Sequence, residues 1–137
     1  MTTASQPSDT ELVAAARRNI ARAYSPYSKF KTGAVVVTEA GELIDGTIVE
    51  NVSLGLAMCA ERVALFNAVT VGATPTTLVL AAPDTDGSPT WPCGACLQVA
   101  LELGGPELVV VVADVEDGPH QRAVLGELLP RGPRVER

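Results

Sequence analysis

No stretch of this chain is apolar for long enough to span a bilayer, so no membrane association is expected. The start, MTTASQPSD, has no charged n-region with an apolar core behind it, which speaks against secretion and for the cytoplasm. Positive charge is scarce: ten Lys and Arg stand against sixteen Asp and Glu, a net charge of −6. An acidic surface repels phosphate backbones, so nucleic acid is not an expected partner, whereas small neutral molecules are compatible. Cysteine occurs only three times. An odd number cannot pair fully in disulfides, and a reducing compartment turns thiols toward metal binding or catalysis. Internal repeats and linkers are missing as well. What is present is 137 residues, 47% hydrophobic and 19% charged, the composition of one globular domain with one core. A single domain over 1–137 is therefore expected, with 1–7 and 131–137 flexible.

Ser8, followed three residues later by Glu11, fits a capping box. Leu12, Val13, Ala16, Ile20 and Ala23 then recur at helical spacing, and this helix should end near Tyr24, before Ser25-Pro26. Ala34–Thr38 and Leu43–Val49 flank a turn around Gly41 and read as a hairpin. An irregular connector (50–57) leads to a helix from Cys59 to about Val71, closed by Gly72 and Pro75. Thr77–Ala82 is a third strand, PDTDGSPTWP a loop, and Cys93–Leu103 a helix stopped by Gly104-Gly105-Pro106. Leu108–Ala113 is almost wholly apolar, as a strand buried on both faces should be. Gln121–Val124 reads as a short edge strand and Leu125–Leu129 as a last turn of helix. A hairpin followed by alternating helices and strands predicts an α/β sandwich, one mixed sheet with helices on its faces.

The chemistry concentrates in MCAER (58–62) and WPCGAC (91–96), both where a loop becomes a helix. First-turn N–H groups lack internal partners and the dipole there is positive, which stabilises thiolates, the form that binds zinc. The C-x-x-C spacing lets Cys93 and Cys96 grip one ion, with Cys59 as a third ligand. Three protein ligands leave a tetrahedral zinc one open position, where water has its pKa lowered to about 7. Glu61, two residues past Cys59, is placed to move a proton without being a ligand. Three thiolates on a zinc dication leave a net negative site, which Arg62 can offset by donating to a ligand sulfur. Two alternatives stand beside this. Cys59, Cys93, Cys96 and His120 could close a structural zinc site in a nonenzymatic interaction domain, though Glu61 would then have no purpose. A C-x-x-C redox pair would lack the strand-first setting and leave Cys59 unexplained.

A carboxylate two residues after the first ligand, then P-C-x-x-C, is the signature of zinc nucleobase deaminases. AYSPYSKFKTGA (23–34), GTIVENVSLGLAMCAERVALFNAV (46–69), PCGACLQV (92–99) and GELLP (126–130) resemble the small homotetrameric cytidine deaminases over nearly the whole chain. The resemblance implies a three-layer sandwich around a five-stranded mixed sheet, and a homotetramer whose neighbours complete each active site. It implies hydrolysis of cytidine or 2′-deoxycytidine to the uracil nucleoside and ammonia, within pyrimidine salvage. It implies one zinc per chain on Cys59, Cys93 and Cys96, with Glu61 as the proton shuttle. The Ala60 backbone would bind the pyrimidine carbonyl, Phe30 would pack on the nucleoside, and Glu50 would accept a ribose hydroxyl.

The chain departs from that family's pattern at four places. Ile48 stands where the family has Asn in N-x-E, and Leu54 where an aromatic is common. Leu97 stands where Arg often follows the second C-x-x-C cysteine, and no aromatic follows ELLP, where the family has a base-covering Phe. The metal set and Glu61 are intact while the surroundings of the substrate are changed. The expected substrate is a plain cytosine nucleoside; the alternative is a modified one, on the pattern of blasticidin S deaminases.

Overall fold

The computed structural model of the protein describes residues 6–135. Among these residues four α-helices and five strands follow in chain order: α1 (Asp9–Asn19), β1 (Gly33–Thr38), β2 (Leu43–Thr47), α2 (Ala60–Thr70), β3 (Pro75–Ala81), α3 (Gly94–Gly104), β4 (Val109–Ala113), β5 (His120–Val124) and α4 (Leu125–Leu128). The strands form one mixed sheet in the order β2-β1-β3-β4-β5. Only β3 and β4 run parallel, and α3 connects them; the other three pairings are antiparallel. The three-layer α/β sandwich expected from the sequence is present.

Strand composition explains the layers. Every residue of β1, GAVVVT, is buried, and four of the five in β4, VVVVA. Alternation sends Val35 and Val37 of β1, Val79 of β3 and Val111 of β4 toward one face, where α1 covers them with Leu12, Val13 and Ala16. Val36, Leu78, Leu80, Val110 and Val112 point the other way, onto Ala60, Ala64, Leu65 and Ala68 of α2 and Ala100 and Leu101 of α3. Small residues let the layers approach. A Cβ on Gly46 would collide with the Ala60 carbonyl and lie 2.5 Å from the Ala64 nitrogen, so β2 and α2 meet backbone to backbone.

The capping box forms as read: the Ser8 side chain accepts from the Glu11 N–H, and the Glu11 carboxylate accepts from the Ser8 N–H. The α-helix stops earlier than the expected Tyr24. It ends at Asn19, and a single 3-10 turn follows at 20–22. Two interactions compete with further helix. The buried Asn19 amide donates to Ala34 O and Asp45 Oδ1, both at 2.9 Å. Tyr24 is extended, its N–H donating to Ile48 O and its carbonyl accepting from Glu50 N–H. The other boundaries shift by a residue or two, and β5 starts at His120. The expected flexibility of 1–7 and 131–137 falls in part on 1–5 and 136–137, which lie outside the described residues. Within the described part, the Gln98 side chain donates to Pro133 O at 2.8 Å. No helix among the described residues is long and apolar enough to cross a membrane.

Candidate metal centre and nucleoside cavity

The packing of α2 beside α3 brings two helix starts together, and a cysteine caps each. Cys59 and Cys93 are the N-cap residues, extended at φ −68°, ψ 149° and φ −66°, ψ 166°. Neither side chain caps its helix, so both sulfurs are free for other partners. Cys96 follows in the first turn of α3, fully buried. The three sulfurs lie within 4.8 Å of one another, and those of Cys93 and Cys96 are 3.4 Å apart. Zinc–sulfur bonds of about 2.3 Å in a tetrahedron put sulfurs ~3.8 Å apart, so the donor set fits zinc by kind, number and spacing.

No histidine belongs to this cluster among the described residues. His120 begins β5 and sits with its Nε2 3.4 Å from Asp9 Oδ2, at the start of α1. The four-ligand structural site considered from sequence is therefore not assembled. The edge strand expected from Gln121 thus starts one residue earlier, where His120 pairs with Ala113 of β4.

The electrostatics of the cluster favour a thiolate. A hydrogen bond from Cys96, with a further one from Arg62, lowers the Cys59 pKa to about 5 against the cost of burial. Cys96 is pushed the other way, first by that same hydrogen bond to Cys59 and then by burial, so it holds the proton the pair shares. Arg62 Nη2 lies 3.5 Å from Cys59 Sγ, and this contact raises the guanidinium pKa. Metal binding displaces the thiol protons, so such a cluster is primed to exchange them for a cation.

Glu61 is buried, and its pKa is pushed up to about 7, chiefly by burial and in part by the nearby charge on Cys59. Its side chain lines a cavity of about 170 Å³ together with Phe30, Ile48, Cys59, Trp91 and Cys93, over a floor of Leu80 and Ala82. Two sulfurs, a carboxyl and two aromatic rings thus face one space. Ala60 is fully buried at the first position of α2, where its N–H has no partner within the helix.

Glu50 does not line this cavity. Its carboxylate is held by the Ser28 hydroxyl and by the Tyr27 and Ser28 N–H groups, which together keep its pKa low, the Ser28 hydroxyl most. Of the four departures, Ile48 is in the cavity wall. Leu54 is 83% exposed, outside the cavity, and Leu97 packs in the core against α2. Trp91 is the aromatic wall residue to which the sequence assigns no role. Its place beside Pro92-Cys93 was a usable signal, because a residue two before a ligand cannot be far from the metal.

Comparisons with known proteins agree with this arrangement. Residues 6–112 match the family model for the cytidine and deoxycytidylate deaminase zinc-binding region. A cytidine deaminase of Halalkalibacterium halodurans is 41% identical over 108 residues, 79% of this chain and 80% of that protein. One from Mycobacterium tuberculosis is 43% identical over 110 residues, 80% and 77% of the respective chains. The crystal structure of cytidine deaminase from Burkholderia pseudomallei superposes with a TM-score of 0.84 at 42% identity, over 90% of this chain and 98% of that one. The chain belongs to the cytidine and deoxycytidylate deaminase family, and its two cysteine-capped helix starts fall inside the matched region.

Proposed function

We infer that this protein is a zinc-dependent hydrolase that converts cytidine and 2′-deoxycytidine to the uracil nucleosides and ammonia. The observation that carries the reading is a three-sulfur cluster, two of whose cysteines line one small cavity together with the buried Glu61, which is not one of the clustered donors. Cys59, Cys93 and Cys96 hold one zinc. When bound, zinc supplies the Lewis acidity that lets a water ionise near neutral pH. Glu61 takes the water's proton, delivers it to ring N3 and then serves the departing amine, so one carboxyl moves every proton of the reaction. Arg62 draws charge from the Cys59 sulfur, which keeps a thiolate-rich site from becoming too negative.

The substrate contacts follow the same reading. The Ala60 N–H binds the pyrimidine carbonyl and Phe30 packs against the nucleoside. Glu50 Oε1 already accepts from Tyr27 and Ser28, while Oε2 accepts only from Ser28 and keeps room for a ribose hydroxyl. A homotetramer belongs to the proposal. The connector leaves Val52, Leu54 and Leu56 at 77%, 83% and 67% exposure, a surface that a neighbouring copy would cover. The setting is a single-domain cytoplasmic enzyme of pyrimidine salvage. The modified nucleoside raised as an alternative gains no support from any observation above.

Loss of absorbance in the cytosine band tests the reading, measured with cytidine, 2′-deoxycytidine and blasticidin S in turn. Turnover of the first two above the third is expected. Turnover of blasticidin S alone would overturn the substrate assignment, and no turnover by zinc-loaded protein would overturn the enzyme.

A further inference from the structure

We propose that Trp91 is a specificity-determining residue, forming with Phe30 an aromatic wall against which the flat pyrimidine ring stacks. This rests on the cytosine-nucleoside reading above. Trp91 is the only tryptophan in the chain, and it and Phe30 are the two aromatic residues lining the cavity that holds Cys59, Glu61 and Cys93. The two rings come from different places, one from the segment before β1 and one from the loop before α3.

The loop fixes the backbone that carries the indole. The Thr85 and Ser88 backbones bond each other in both directions, at 2.8 and 3.0 Å. The Thr90 hydroxyl donates to Pro83 O and shares a hydrogen bond with the Thr85 hydroxyl. Pro92, on the other side, is buried. Trp91 itself is partly buried, packing on the core beneath α2 and α3 while still lining the cavity. Held there two residues before Cys93, the indole offers a preorganised face that needs no ordering when a planar ligand enters. Base–aromatic stacking tolerates any base but requires a flat one, so the wall selects for planar rings and limits bulk on them.

Because Trp91 is the only tryptophan, its fluorescence reports directly on the cavity. Uridine, which has the ring and sugar but no amine to lose, is the probe. It should quench zinc-loaded wild type saturably, at the concentrations that inhibit cytidine turnover. Trp91→Phe should keep KM for cytidine within about threefold. Trp91→Leu keeps apolar bulk but has no π face and should raise KM about tenfold or more, with kcat and zinc content little changed. Trp91→Ala should raise kcat/KM for a base-substituted cytidine relative to cytidine itself. Unquenched fluorescence under inhibiting uridine, or equal KM for the Phe and Leu variants, would overturn the proposal. Should the Leu variant not fold, the wild-type titration decides alone. Active enzyme with an unresponsive tryptophan defeats only this inference; inactive enzyme defeats the functional reading on which it rests.

Discussion

At the scale of residues, the account rests on which side chains share the metal and the cavity. Cys93 is exposed and sits at a helix start, so Cys93→Ala should fold locally yet lose its metal. Metal analysis should find zinc well below one per chain in that variant and unchanged in His120→Ala, whose imidazole lies against Asp9. Full occupancy in the first, or loss in the second, would contradict the ligand assignment. Ile48 is the departure that lines the cavity, and it presents no hydrogen-bonding side chain there. Ile48→Asn should lower KM for cytidine by up to about tenfold, the worth of one regained hydrogen bond, and steady-state kinetics of the two proteins would show it. The three-cysteine cluster and the place of Glu61 beside it were legible because these residues fall within two short stretches at helix starts. The core placement of Leu97 was not, because whether an apolar residue faces a cavity or the core depends on elements distant in sequence, whereas Trp91 did carry a local signal in its place two residues before Cys93.

At the scale of elements, the position of α2 decides whether Cys59 meets Cys93 and Cys96, and Gly46 decides the position of α2. Gly46→Ala puts a methyl group against the Ala60 carbonyl and the Ala64 nitrogen, and backbone cannot turn aside as a side chain can. Overpacking of this kind costs about 1–3 kcal/mol. Thermal unfolding followed by circular dichroism should show a Tm about 5 °C lower or more. An unchanged Tm would mean that helix and strand are less closely docked than described. Element boundaries were legible where local signals set them, as at the Ser8–Glu11 capping box and the Gly–Gly–Pro stop after α3. The end of α1 was not, since it is set by the bonds of Asn19 to Ala34 and Asp45 and by the pairing of Tyr24 with the segment after β2.

At the scale of the whole molecule, the layered fold was readable because a hairpin is followed by alternating helices and strands, and because β4 is almost wholly apolar, as a strand covered on both faces should be. The exposed Val52, Leu54 and Leu56 are the surface that the proposed tetramer would cover. Light scattering at micromolar concentration should give about four times the 14.2 kDa chain mass, and a stable monomer would contradict the tetramer. The central claim is that Glu61 moves the protons of a zinc-dependent deamination. Its most direct test compares cytidine turnover by wild type and Glu61→Gln, each with its zinc content measured. The Gln variant keeps shape and cannot exchange the proton, so it should retain zinc and fold while losing at least about 10²-fold in kcat. A zinc-loaded Glu61→Gln enzyme that turns over cytidine at the wild-type rate would contradict the account.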